Sequence, residues 1–443
     1  MRAAFVFGSL GLAVSCFAQK HPLLHAGPMV GYAEMTEVAI WVQTTQSARV
    51  QIAYRQPGGS ATLSKPVLAT EEGDHIALVK ITGLPFGKVF EYDLLIDGQP
   101  VKRDYPMTFK TQPHWRWTTG NNPPEFSFAF GSCAYINDTP FDRPGRPYGG
   151  AYEIFGSITA KKPDFFLWLG DNDYYREPDW LTESAMRYRM RTGRSLPEMQ
   201  PMLASMANYA IWDDHDFGPN DSDRSFRLKD QALKVFTDYF PGVQYGTRET
   251  PGVFSRFEWI DVEFFMLDDR YYRAPNNYPK GPDKVMFDKR QIQWLKDSLA
   301  NSKAAFKIIC NGNQMINENR YECFAQFPDE REDLFNWIVS ARIDGVLFLT
   351  GDRHATELLK RRWSGASYDF FEYTSSPMCS GVASQSDPEP YRVEGTYVDK
   401  ERNFGTIKVS GPRGSRVLTL YCYDKDGQEM WKREIAQKDL QAP

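Results

Sequence analysis

The sequence predicts an α/β protein in two parts, a small all-β sandwich followed by a larger unit in which strands alternate with helices. Three observations carry this. Short β-rich runs broken by turn residues fill residues 19–118. From 119 to 443, buried-strand runs alternate with helix-period stretches. The last segment of that unit returns to strands around a hairpin turn. A length of 443 residues accommodates two or three domains.

Residues 1–18 read as an export leader. Arg2 supplies the positive start, Ala3 to Val14 is uncharged and apolar, and Cys16-Phe17-Ala18 places small residues at −3 and −1 before Gln19. Cleavage near Ala18 implies a secreted or periplasmic protein. The sandwich is expected from Val38–Val42, Val50–Tyr54, Ile76–Ile81 and Val89–Leu94, separated by Pro57-Gly58-Gly59 and Asp97-Gly98. Thr111 to Pro124 reads as a linker. Beyond it, strand-like runs are expected at Phe126–Phe130, Phe165–Leu169, Tyr209–Trp212, Val262–Leu267, Phe306–Ile309 and Val346–Leu349. Helix-period stretches at Leu181–Arg191, Arg224–Phe240, Asp288–Ala300 and Arg331–Ile343 would cover the sheet faces. Phe404 to Ile435 returns to strands, with a hairpin at Asp424-Lys425-Asp426-Gly427.

Composition narrows the function classes. With 42% hydrophobic and 14% aromatic residues the chain has material for a core, which excludes disorder, collagen and coiled coil. The 52 basic residues fall short of the 57 acidic ones, so coating of nucleic acid is not expected. After the leader no apolar run approaches the ~20 residues of a membrane span. Removing Cys16 leaves Cys133, Cys310, Cys323, Cys379 and Cys422, an odd set whose pairing is not legible.

The chemistry sits at the ends of the strands. Phe128-Ala129-Phe130 runs into Gly131-Ser132-Cys133, and Leu167-Trp168-Leu169 into Gly170-Asp171-Asn172-Asp173-Tyr174-Tyr175. Ala210-Ile211-Trp212 runs into Asp213-Asp214-His215-Asp216, Ile308-Ile309-Cys310 into Asn311-Gly312-Asn313-Gln314, and Leu349-Thr350 into Gly351-Asp352-Arg353-His354. Ligands in open α/β sheets bind beyond the carboxyl ends of the strands. Each motif alone has a bland reading as a turn, a helix cap or a buried thiol. Five together point to one polynuclear metal site.

This series, in this order, resembles the alkaline phosphatase D family of the calcineurin-like metallophosphoesterases. The segment Gly83-Leu84-Pro85…Tyr92 is similar to the corner of fibronectin-type-III or Ig-like modules. The first resemblance implies a four-layer αββα core and a secreted phosphomonoesterase or phosphodiesterase acting on small phosphate esters. It also implies one Fe³⁺ and two Ca²⁺. Carried over position by position, it makes Cys133, Asp171 and Tyr174 the iron-side ligands, with Asp171 able to bridge. Asp214, Asp352 and His354 are further ligands, Asn220 an added oxygen donor, and His215 the catalytic residue facing the substrate. Asp-x-x-Tyr spacing favours Tyr174 over Tyr175. Arg270, in Asp268-Asp269-Arg270, is the candidate phosphate-binding arginine, with a structural salt bridge as its alternative. Arg143, Arg146 and Arg176 are expected on the solvated surface. A thiolate, a phenolate and a carboxylate around one ion call for a highly charged cation, while the remaining Asp and Asn oxygens suit Ca²⁺ or Mg²⁺. Water activated by such ions would attack phosphorus in line. Two other readings remain: a calcium-dependent adhesion or carbohydrate-binding protein, and a nucleotidase or teichoic-acid-type phosphodiesterase on the same fold.

Overall fold

The computed structural model describes residues 21–441 apart from 119, 121, 140–141, 143–146, 319–321 and 385–388. The proposed leader, Arg143 and Arg146 lie outside the described residues.

The N-terminal part has nine strands: β1 (Leu24–Ala33), β2 (Glu37–Thr44), β3 (Ala48–Arg55), β4 (Thr62–Leu63), β5 (Val67–Ala69), β6 (Ile76–Thr82), β7 (Val89–Ile96), β8 (Gln99–Val101) and β9 (Thr108–Lys110). They form two antiparallel sheets. One has the order β1-β2-β6; the other runs β4-β3-β7-β8, with β5 beside β3 and β9 beside β7. Strand β7 shows why: Phe90, Tyr92, Leu94 and Ile96 are buried while the residues between them are more open, the period of a half-buried strand. β1 was not legible. Its Gly27-Pro28 and Gly31 break the strand pattern, and its pairing with β2 shifts register three times.

β1 is buried along nearly its whole length because its far side meets the second unit. Asn208 Nδ2 donates to Val30 O at 3.0 Å, and Gly27 N donates to Gln200 Oε1 at 2.8 Å. Nearby, Trp41 Nε1 donates to Asp238 O at 2.9 Å, and Tyr92 OH donates to Ala204 O at 3.0 Å.

The second unit contains α1 (Trp115–Thr118), β10 (Phe126–Gly131), α2 (Ile154–Ala160), β11 (Phe165–Leu169), α3 (Glu183–Arg194), α4 (Gln200–Ser205), β12 (Ala207–Ile211), α5 (Asp214–Phe217), α6 (Lys229–Tyr239), β13 (Ser255–Trp259), β14 (Val262–Met266) and α7 (Lys289–Asn301). There follow β15 (Phe306–Asn311), α8 (Pro328–Ser340), β16 (Val346–Thr350), β17 (Glu357–Arg361), β18 (Phe370–Thr374), β19 (Asn403–Ser410), β20 (Val417–Asp424) and β21 (Glu429–Ala436). α6 starts later than the sequence pattern implies, because Arg224 N pairs with Arg273 O and Ser225 N with the Asp223 side chain, holding a turn ahead of the helix.

The strands make two six-stranded sheets, β12-β11-β10-β19-β20-β21 and β13-β14-β15-β16-β18-β17. β10, β11 and β12 are mutually parallel, as are β14, β15, β16 and β18. Aromatic side chains join the sheets face to face: Phe128 meets Phe264 edge-on at 5.2 Å between centroids, and Phe130 meets Tyr373 at 4.8 Å. On the outer faces, Trp168 packs toward Phe155 of α2, and Phe348 toward Phe335 of α8. α8 begins with Pro at its first position, where the missing N–H costs nothing. It buries Arg331, Leu334, Phe335 and Ile338, one stripe at helical spacing. Each large apolar side chain buried there contributes about 2 kcal/mol. No helix among the described residues is long and apolar enough to cross a membrane.

Candidate metal centre

The parallel strands of both sheets end at one place. Gly351, after β16, has room only for hydrogen: a Cβ there would lie 2.5 Å from Ser132 Cβ and 2.6 Å from Leu169 O, at the ends of β10 and β11. Cys133 (φ 61°), Asp171 (φ 51°), Asp352 (φ 69°) and His354 (φ 53°) all take the left-handed backbone region that L-residues avoid. Such positions cost on the order of 1 kcal/mol or more each, and they persist where the surroundings over-determine them.

These bends bring together side chains that are far apart in the chain. Cys133 Sγ lies 3.5 Å from Asp171 Oδ2, 3.6 Å from the Asp352 carbonyl oxygen and 3.2 Å from Ser376 Oγ. Tyr174 OH donates to Asp171 Oδ2 at 3.1 Å and lies 3.2 Å from His354 Nε2. Tyr175 has a buried hydroxyl without a hydrogen-bond partner among the described residues, whereas the Tyr174 hydroxyl meets Asp171 and His354. His354 Nδ1 contacts Gly381 O. A carbonyl there requires the proton on Nδ1, which leaves the Nε2 lone pair facing Tyr174 and the centre.

Three groups of donors lie within 4.8 Å of one another: Cys133, Asp171 and His354; Asp171, Asp214 and His215; Asp214, Asp221 and Glu322. Asp171 joins the first two and Asp214 the last two, so the donors form a chain. Asp352 is at its side, its carboxyl pushed up to about 7 by burial and by Glu322 and Asp214. Burial, Cys133 and Asp214 hold the Asp171 carboxyl well above its ordinary range. Burial and Asp352 push the Cys133 thiol up to about 11, and burial with Asp171 raises the Tyr174 phenol. Asp214 is also desolvated, yet His215, Arg270 and the Asp221 N–H keep it below the usual carboxylate value. Burial lowers both imidazoles, which favours their neutral, lone-pair-bearing forms.

The residues fit metal ions. Acids of three chemical types are driven to their neutral forms by one another in a dry site, and a cation reverses that preference. Among the described residues, Asp214 Oδ1 and His215 Nδ1 are buried without a hydrogen-bond partner. Sulfur, phenol, carboxylate and imidazole together match a hard, highly charged cation beside softer coordination, while the run of oxygens from Asp171 to Glu322 matches Ca²⁺ or Mg²⁺.

Asn220 is exposed and lines the cleft beside His215, and its neighbour Asp221 carries a carboxylate to Asp214. Arg270 is fully buried and holds carboxylates in place of an open phosphate position. Its Nε donates to Asp213 Oδ1 at 2.6 Å, and its terminal nitrogens reach Glu322 at 3.1 and 3.2 Å and Ser222 O at 3.3 Å. Arg176 is buried rather than solvated, donating to Ile136 O at 2.6 Å and Asp142 Oδ1 at 3.0 Å. Among the described residues all five cysteines are buried, and Cys133, Cys310, Cys379 and Cys422 are free thiols.

Sequence reasoning missed Glu322, which follows no strand and has no spacing signal. It also missed Asp216 as a positioning residue. Asp216 accepts from the backbone N–H groups of Asn172, Asp173 and Asp213 at 3.0–3.1 Å, stitching the loop after β11 to the start of α5. Asn313 acts in the same manner, donating to Asp213 and accepting from Arg273.

Comparison with known proteins places this geometry in context. The model of the PhoD-like phosphatase family matches residues 128–407, and that of a domain of unknown function (DUF7800) matches residues 21–114. Alkaline phosphatase D of Bacillus subtilis (strain 168) is 24% identical over 365 residues, covering 71% of this chain and 57% of that relative. The match therefore spans little more than half the length of that curated relative. A solved structure of PhoD superposes with a TM-score of 0.76 at 18% identity, covering 94% of this chain and 92% of that one. A purple acid phosphatase from yellow lupin (Lupinus luteus) seeds superposes with a TM-score of 0.66 at 12% identity, covering 92% and 74%. At these identities the two structures show a shared mixed α/β fold.

Proposed function

Since the chain belongs to the PhoD-like phosphatase family, we propose that it hydrolyses phosphoric esters at a metal centre built on Cys133, Asp171, Tyr174, Asp214, Asp352 and His354. One observation carries the reading: a thiol, a phenol, a carboxylate and an imidazole from three separate strand ends meet in one buried site. We read Fe³⁺ on the Cys133–Asp171–Tyr174–His354 side and Ca²⁺ along the Asp171–Asp214–Asp221 side, with Asp171 shared. The two facing sheets with outer helices are read as the αββα core, the N-terminal sheets as an Ig-like sandwich, and residues 1–18 as a leader for export.

When bound, the ions supply Lewis-acid polarisation of the phosphoryl group and acidify water beside it. The chain's own residues set the stage. His354 is held by Gly381 with its lone pair inward, and Tyr174 and Cys133 share Asp171 Oδ2, so these donors keep their positions without rearrangement. His215 packs on the Tyr174 ring at 4.2 Å, and its backbone N–H donates to Asp171 Oδ1 at 3.3 Å. Among the described residues its Nδ1 has no hydrogen-bond partner, so the imidazole is placed to hold a phosphoryl oxygen or, in its protonated form, to give a proton to a departing alcohol.

Metal analysis of the purified protein, with turnover of bis(p-nitrophenyl) phosphate, tests the proposal. Iron near one per chain is expected. Cys133→Ala and Asp171→Asn should each lose iron and lower turnover by more than ~100-fold, beyond what outer-shell changes cost. Stoichiometric calcium with neither iron nor turnover would contradict the reading and favour a calcium-dependent binding protein.

A further inference from the structure

We propose that the cleft beside His215 is a leaving-group subsite for a planar aromatic ring, with Trp180 as its specificity-determining residue. The inference rests on the phosphatase reading and names the class of ester that site prefers.

The cleft has a volume of about 230 Å³ and is lined by Tyr135, Tyr148, Tyr175, Trp180, His215 and Asn220, among others. An apolar cavity of ~150 Å³ already takes benzene, so one ring system fits. Part of the wall is a connected run of rings, with Arg176, Glu177 and Asn220 as polar lining beside it. Tyr135 meets Tyr148 edge-on at 5.0 Å and Tyr174 at 5.0 Å, and Tyr174 continues to His215. Tyr135, Tyr174 and Tyr175 are buried and form the floor. Tyr148 keeps 37% of its surface open, Trp180 is half-buried, and Asn220 and Glu177 lie exposed around the cleft. Two accessible rings over an aromatic floor offer π faces, which favour a flat partner and tolerate its identity.

The cleft is held open by its own bonds. Arg176 sits 4.0 Å from the centre of the Tyr135 ring, fixed by Ile136 O and Asp142. Tyr148 is tied through its hydroxyl to His354 Nδ1 at 3.1 Å and through its carbonyl to Arg402 at 3.2 Å. The turn carrying Trp180 is pinned by Asp179, which accepts from Arg176 N and Arg189 Nε. His215 belongs both to the donor cluster and to the cleft wall. An ester whose phosphorus lies against the cluster on the His215 side therefore extends its alcohol into the cleft.

The test compares esters whose leaving alkoxides are of similar basicity and differ in the ring: 2-phenylethyl phosphate against n-butyl phosphate, and AMP against ribose 5-phosphate. The ring-bearing ester of at least one pair should show kcat/KM about tenfold higher, the scale of one stacking contact. Trp180→Ala should reduce that ratio to about two, and Trp180→Phe should retain most of it. Phenylphosphonate should compete about tenfold better than butylphosphonate, a binding readout that needs no turnover. Ratios near one in both ester pairs, or a ratio unchanged in Trp180→Ala, would overturn the subsite. So would equal binding of the two phosphonates. Equal turnover of ring and chain esters sinks the subsite alone, whereas absence of turnover on all four esters and on bis(p-nitrophenyl) phosphate sinks the phosphatase reading itself.

Discussion

Arg270 shows how much of the centre depends on a residue that is not itself a candidate metal donor. Its guanidinium lies between Asp213 and Glu322 with none of its surface exposed, and Asp214 is 3.9 Å away. Desolvation opposes the charge and the surrounding carboxylates more than offset it, so Arg270 stays firmly protonated and Glu322 is held far below its usual value. Arg270→Met would leave Asp213 buried without its counter-charge and Glu322 with Arg273 alone. A stability loss of about 3–5 kcal/mol is expected by urea denaturation; a change within ~0.5 kcal/mol would show that the pair is not organised as described. The contrast in legibility is instructive. Cys133, Asp171, Asp214 and His354 were readable because each follows an apolar strand run within five residues. Glu322 was not, since its meaning comes from a partner 52 positions away, while for Arg270 the sequence offered a phosphate contact and a structural salt bridge side by side. Asp221 was not singled out either; it takes φ 60° in its turn, and spacing alone cannot show which way a side chain leaves such a turn.

The elements behind the site carry a titration of their own. Glu372 on β18 is fully buried. It accepts from Met315 N at 2.7 Å, Ile316 N at 2.8 Å and Thr350 Oγ1 at 3.0 Å, which anchors the loop after β15. Burial raises its carboxyl to about 7 despite those bonds. An acid raised on folding binds its proton more tightly in the native state. Its contribution is therefore fully present below the unfolded value near 4.3 and is lost as pH climbs through about 7. Between pH 4.5 and 8 the wild type should lose on the order of 3 kcal/mol that Glu372→Gln does not lose, measured as the difference in urea unfolding free energies; parallel pH curves would refute it. The parallel strands β10, β11, β12, β14, β15 and β16 were legible to within a few residues because their runs are short and apolar, whereas the edge strands β13 and β17, with charged residues in them, were not. β1 was hidden by its glycines and proline, and the helix start at Lys229 by a side-chain turn that competes with helix.

At the scale of the whole molecule, the N-terminal sheets grip the second unit. Trp41 packs on Tyr239 at 5.7 Å, Gln43 Nε2 donates to Tyr239 OH at 2.9 Å, and Arg191 pairs with Asp74. Buried contacts of this kind make the two parts one cooperative unit, so calorimetry of the metal-loaded protein should show a single unfolding transition; two resolved transitions would contradict it. The change of composition near residue 118 was legible in sequence, whereas this interface was not, because Gln43 and Tyr239 lie 196 positions apart. The same long-range folding brings three strand ends to one buried centre, and that convergence is the claim on which the functional reading stands. Anomalous diffraction from crystals of the purified protein, collected on both sides of the iron absorption edge, tests it most directly. The expected result is an iron peak in coordination contact with Cys133 Sγ, an Asp171 oxygen and Tyr174 OH. Metal-loaded crystals with no peak at those three atoms, or with iron bound elsewhere, would contradict it.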